Sequence, residues 1–133
     1  MLFQPYMKQL CIKGTALALL MVMALSVGCS RSVPPPTPFT EQEMPGEIEK
    51  AFGTAKQPEA KDLASQFLAA IQAKDYSKAH YAIQALAGVQ GISKEQIQVA
   101  TRASLTVSSL LESARAQGDT KAAQTIKSYM ETK

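Results

Sequence analysis

Few side chains in this 133-residue chain are equipped for chemistry: Cys11, Cys29, a single histidine at His80, and scattered carboxylates. Zinc asks for three or four ligands at defined spacing, and the sequence offers no such set. His80 has no cysteine or carboxylate pair beside it, so it is expected to be structural or solvated, at the edge of an apolar helix face. No glycine-rich loop follows a strand-like run, so no phosphate cradle is expected. Glu41, Glu43, Glu47 and Glu49 read as a solvated approach to a helix, with Pro45 expected to break any helix between Glu43 and Glu47. No catalytic residue, metal ligand, cofactor or small-molecule substrate is expected from these residues, and the chain reads as a non-enzyme.

Cys29 has the more specific setting. Residues 15–27 read TALALLMVMALSV, apolar except for Thr15 and Ser26, and are preceded by Lys8 and Lys13 with no acid. That length fits the roughly 7–15-residue core of a secretory signal and falls short of the ~20 residues that span a bilayer. Gly28 is the small residue a signal peptidase needs before the scissile bond.

Ser26-Val27-Gly28-Cys29, with Leu25 one step earlier, resembles the lipobox of bacterial lipoproteins. Ser26 departs from the Leu, Val or Ile usual at its position. The resemblance implies cleavage between Gly28 and Cys29, diacylation of the Cys29 thiol, and often acylation of the freed amine. It makes residues 1–28 a signal peptide and Cys29 the anchor to a membrane facing the periplasm. Ser30, where Asp would imply inner-membrane retention, favours the outer membrane in an organism that has one. Cys11 leaves with the leader, so no intramolecular disulfide is expected although an exported protein could carry one.

The formal charge of +3 overstates the basic character of the mature chain. Once Lys8 and Lys13 are removed, basic residues exceed acidic ones by one, without the clustered basic face that nucleic acid requires.

The elements that carry these residues follow in order. Residues 29–46 are expected to form a lipidated N-terminus and a proline-rich linker. Pro34, Pro35, Pro36 and Pro38 favour polyproline II at about 3.1 Å per residue, a spacer rather than a ligand for an aromatic groove. Residues 47–133 carry helical periodicity. A short helix over 47–54 buries Ile48, Ala51 and Phe52. A second, opened by Pro58 and ending near Ala73, uses Leu63, Phe67, Ala70 and Ile71. After a tight turn at Lys74-Asp75, a third over 76–87 uses Tyr76, Ala79, Ile83 and Leu86. Ser93 and Gln96 form a capping box for a fourth, whose inward face is expected to run from Ile97 through Ala100, Ser104, Val107, Leu111 and Ala114. Asp119 caps the last, over 120–130, with Ala122, Ala123, Ile126 and Met130 inward.

The expected fold is therefore all-α: two antiparallel helical hairpins after a short leading helix. Ala73, Lys78, Ala79 and Ile83 recur as Ala116, Lys121, Ala122 and Ile126, an offset of 43 residues. Asp75-Tyr76-x-x-Ala79-x-x-x-Ile83-x-x-Leu86 resembles the second helix of a tetratricopeptide repeat and the turn before it. The helix before it departs from that pattern, with Phe67 where a small residue is usual and Leu63 where a large aromatic is usual. The resemblance implies a module that binds another envelope protein; a structural or stress-related lipoprotein without a groove is the alternative. Tyr81 and Tyr129 are the residues expected to offer an interaction surface, while Tyr76 is expected in the core.

Overall fold

Local hydrogen bonds start and stop each helix. A computed structural model describes residues 34–132. The expected signal peptide, with Gly28 and Cys29, lies outside the described residues. Five helices follow in order: α1, Met44–Phe52; α2, Pro58–Gln72; α3, Tyr76–Ala87; α4, Lys94–Ala116; and α5, Thr120–Glu131. No strand occurs among the described residues.

Two turns use the same device. Asp75 N–H donates to Ala70 O and Lys74 N–H to Ile71 O; Asp119 N–H donates to Ala114 O and Gly118 N–H to Arg115 O. Each pair is a Schellman stop, which needs a left-handed residue. Gly118 supplies it freely at φ 93°, and Lys74 adopts it at φ 55°. In each turn the next residue is an aspartate that caps the following helix: Asp75 accepts from Lys78 N–H, and Asp119 from Lys121 and Ala122 N–H. Stop and start are thus compressed into three residues, which makes α2–α3 and α4–α5 helical hairpins. The turns repeat at an offset of 44, whereas the buried alanines Ala79 and Ala122 keep the offset of 43 read from the sequence. Ser93 caps α4 through the expected reciprocal box with Gln96.

The start of α1 differs from expectation. Thr40 N–H and Oγ1 both donate to Glu43, at 3.2 and 2.8 Å, and Glu43 N–H donates back to Thr40 Oγ1 at 3.2 Å. This reciprocal contact starts the helix at Met44 rather than Glu47. Pro45 falls within the first turn, where a missing N–H costs nothing, so it opens the helix instead of breaking it.

Helix α1 packs against α2 and α4, α3 packs against α2 and α4 in turn, and α5 packs against α4 and α3. The neighbours of α2 and α4 are thus α1 and α3 rather than each other. Met44, Ile48 and Phe52 of α1 are fully buried, as are Phe67, Ile83, Leu86 and Val107 from α2, α3 and α4. Most of the remaining core is alanine, whose single methyl lets helices approach closely.

The chain before α1 belongs to this core. Phe39, placed in the linker by its composition, is buried, and the Arg102 guanidinium lies 3.8 Å from the centre of its ring. Arg102 Nε donates to Thr37 O at 2.7 Å, and Thr106 Oγ1 to Phe39 O at 2.8 Å. Further along, Tyr76 OH donates to Glu41 at 3.0 Å, and Gln96 Nε2 to Ala51 O at 2.8 Å. Residues 37–55 are therefore strapped across α4 and the start of α3. Prolines cannot form this strap by themselves; the polar side chains of α4 supply the donors their neighbours' carbonyls need.

Two inward assignments are corrected. Ile97 and Met130 are exposed. On α4 the buried stripe runs through Ala100, Ala103, Thr106, Val107 and Leu111, which turns Ile97 outward. On α5 only Ala122 and Thr125 are buried, because its last turn runs past the end of the shared core.

If the strap holds the domain together, Phe39→Ala will lower the urea-unfolding free energy by about 3 kcal/mol, the lower end for a buried Phe truncation. A change well under about 1 kcal/mol would show the strap to be peripheral.

Candidate interaction surface

Helix α3 presents His80 and Tyr81 side by side, and α5 brings Tyr129 and Met130 to the same edge. The His80 and Tyr129 ring centres are 5.2 Å apart at an interplanar angle of 85°. The Tyr81 ring lies 5.9 Å from His80 at 73°. Both are edge-to-face contacts, worth about 0.5–1.5 kcal/mol each. Tyr81 is 58% exposed, and Tyr129 and Met130 are exposed beside it. The sequence named Tyr81 and Tyr129 separately; the fold sets them on either side of one imidazole.

His80 itself is only 5% exposed, and not the edge residue its sequence position implied. It lies four residues after Tyr76 and three before Ile83, the helical spacing of a shared face, and that spacing was the available signal. Its Nδ1 is buried without a hydrogen-bond partner. Such an orphan costs about 1–3 kcal/mol, less than the same group would cost if charged. Burial accordingly pushes the His80 pKa below its ordinary 6.5 and favours the neutral ring.

A hollow of about 160 Å³ opens beside the imidazole, lined by Ser108, Leu111 and Glu112 of α4 and by Thr125, Ile126, Tyr129 and Met130 of α5. Ser108 Oγ donates to Ser104 O and Thr125 Oγ1 to Lys121 O, so both hydroxyl protons are held within their own helices. Glu112 pairs with Arg115 at 2.7 Å at the solvent-exposed rim. Where α3 and α5 begin, Lys121 Nζ reaches Asp75 at 2.7 Å. That hydrogen bond, with the one from Lys78 N–H, holds the Asp75 carboxyl below its usual 3.8.

A larger cleft of about 630 Å³ lies between the end of α1 and the start of α4. Its amides serve the fold: Gln96 bonds Ala51 O, and Gln57 Nε2 donates to Gly91 O at 2.6 Å. The acidic cluster is also dispersed, with Glu41 bonded to Tyr76 and Glu43 to Thr40. Among the described residues no three His, Cys, Asp or Glu side chains gather as a metal site. None of the described helices is long and apolar enough to cross a membrane. Comparison with family models, curated proteins and solved structures finds no match to this chain.

The His80 environment sets a pH dependence. Its folded pKa lies below the unfolded 6.5, so the unfolded chain binds this proton more readily. Stability is then fully present above pH 6.5 and falls as pH is lowered through that value towards the folded pKa. Urea unfolding at successive pH values is expected to show this loss, and His80→Gln to flatten it. The Asp75 contribution is present above 3.8 and is lost as pH falls below that value towards its lowered folded pKa.

Proposed function

We propose that the protein is a bacterial lipoprotein, anchored through acylated Cys29 to a membrane facing the periplasm, whose helical domain is a non-catalytic protein-interaction module. The anchor half of this reading rests on Leu25 to Cys29 and the apolar run before them. The interaction half rests on one observation, the exposed edge where Tyr81, Tyr129 and Met130 gather around buried His80. Tyrosines of this kind are favoured at interface centres, because a large rigid ring loses little entropy on contact. The partner on this reading is another envelope protein, and the outer membrane is the favoured location because Ser30 follows the cysteine.

Intact-mass analysis of membrane fractions tests the anchor. The expected chain begins at Cys29 and carries added acyl mass, and Cys29→Ser abolishes that product. A chain that still begins at Met1, or begins at Cys29 without acyl mass, would overturn the anchor. For the interaction surface, Tyr81→Ala is expected to remove partner capture from detergent-solubilised native membranes while leaving the helical circular dichroism unchanged. Undiminished capture would refute it.

A further inference from the structure

We propose that the hollow beside His80, where α3, α4 and α5 meet, is the pocket for one tyrosine side chain of the protein partner. The inference deepens the interaction reading above and rests on its claim that a partner exists. It does not require Tyr81 to be the contact.

An unmet hydrogen bond is the first argument. Among the described residues, His80 Nδ1 is the buried side-chain polar atom left without a partner. Native proteins leave few such atoms, and each asks for a group that completes it. His80 forms part of the wall of the hollow, so a group that enters there meets the imidazole. The other polar side chains of α4 and α5 around it are engaged elsewhere: Ser108 and Thr125 donate within their own helices, and Glu112 pairs with Arg115. Nδ1 is covered in the free fold. The ring set edge-to-face against the imidazole is that of Tyr129, on the last turn of α5, where no side chain is buried. That turn is the part of the wall that can give way to an entering group.

Size and polarity choose the occupant. The hollow measures about 160 Å³. An apolar cavity of about 150 Å³ takes a single benzene ring, whereas sites for free small molecules usually begin near about 300 Å³. Leu111, Ile126 and Met130 give it an apolar lining, and the Met130 thioether suits contact with an aromatic ring. Burial keeps the imidazole neutral, and the Glu112 carboxylate already has its cation, so the lining favours a neutral ring. At Nδ1 a neutral imidazole presents a lone pair in one tautomer and an N–H in the other. A phenol hydroxyl both donates and accepts, and so completes either; an indole only donates, and a phenyl ring does neither. Tyr129 and Met130 line the hollow and also belong to the exposed edge, so a partner lying on that edge covers the mouth of the pocket.

The test uses the full chain in detergent, with p-cresol as the tyrosine side-chain probe and toluene as the same ring without the hydroxyl. Free probe is fixed by dialysis against protein-free micelles. His80 is the sole histidine, so its ring gives one imidazole NMR signal that reports on the pocket. The expected result is a saturable shift of that signal by p-cresol, with binding about tenfold tighter than that of toluene. Ser108→Leu, at an exposed position on the wall, is expected to abolish both the p-cresol shift and partner capture from solubilised native membranes, with helical circular dichroism unchanged. Ser109→Leu, exposed and outside the wall, is expected to change neither. The probe arm on the unaltered chain decides the matter even if Ser108→Leu fails to fold: no saturable shift, or equal affinity for the two probes, would overturn the inference. Capture that survives Ser108→Leu while the p-cresol shift is lost would overturn it too, leaving the hollow to free phenols. So would self-association of the purified chain that Ser108→Leu removes, which would assign the pocket to a second copy. Capture lost in Ser108→Leu but kept in Tyr81→Ala would refute the tyrosine edge and uphold the pocket. An unaltered chain that captures no partner would bring down the interaction reading and this inference together.

Discussion

The burial of Met44, Ile48 and Phe52 between α2 and α4 is the contact on which the domain depends. Helices α2 and α4 have no direct contact to fall back on, and the rest of the core is largely alanine. Alanine permits close approach but buries little area, and apolar area is what drives folding, at about 25 cal/mol per Å². The three large side chains of α1, with Phe39 ahead of them, add to the bulk that Phe67, Ile83, Leu86 and Val107 bring from the hairpins. The leading segment is thus part of the body of the domain.

This dependence explains the polar contacts around the strap. An irregular segment lying on a core leaves carbonyls that must find donors. Arg102, Thr106 and Gln96 of α4 supply them to Thr37, Phe39 and Ala51. Arg102 serves twice, because its guanidinium also covers the Phe39 ring. One helix therefore fixes where the chain enters the domain.

The far end of the fold is held more lightly. Helix α5 buries only Ala122 and Thr125, and its further contacts include Lys121 with Asp75 and Tyr129 with His80. The exposed Lys121–Asp75 pair contributes little in water. The His80–Tyr129 ring contact adds to this attachment, beside Ile126, which packs partly buried against the core. Tyr81, Tyr129 and Met130, three of the five exposed large apolar or aromatic side chains among the described residues, sit at this edge.

Helix identity, and the boundaries of α2 to α5, were legible in the sequence because caps and stops act over three to five residues. Asp75, Ser93, Asp119 and Gly118 each sit where a short-range hydrogen bond or a left-handed residue decides the outcome, and no distant contact overrides them. Tertiary structure decided the rest. Phe39 reads as linker until Arg102 and Thr106, more than sixty residues away, are placed beside it. Ile97 and Met130 fit an apolar stripe but lie where the core is already filled or already ended. Tyr81 and Tyr129 could be named one by one, but only the packing of α5 on α3 makes them neighbours across His80. Periodicity reports which face of a helix is apolar; which neighbour covers that face, and how far along, depends on contacts that no local pattern encodes.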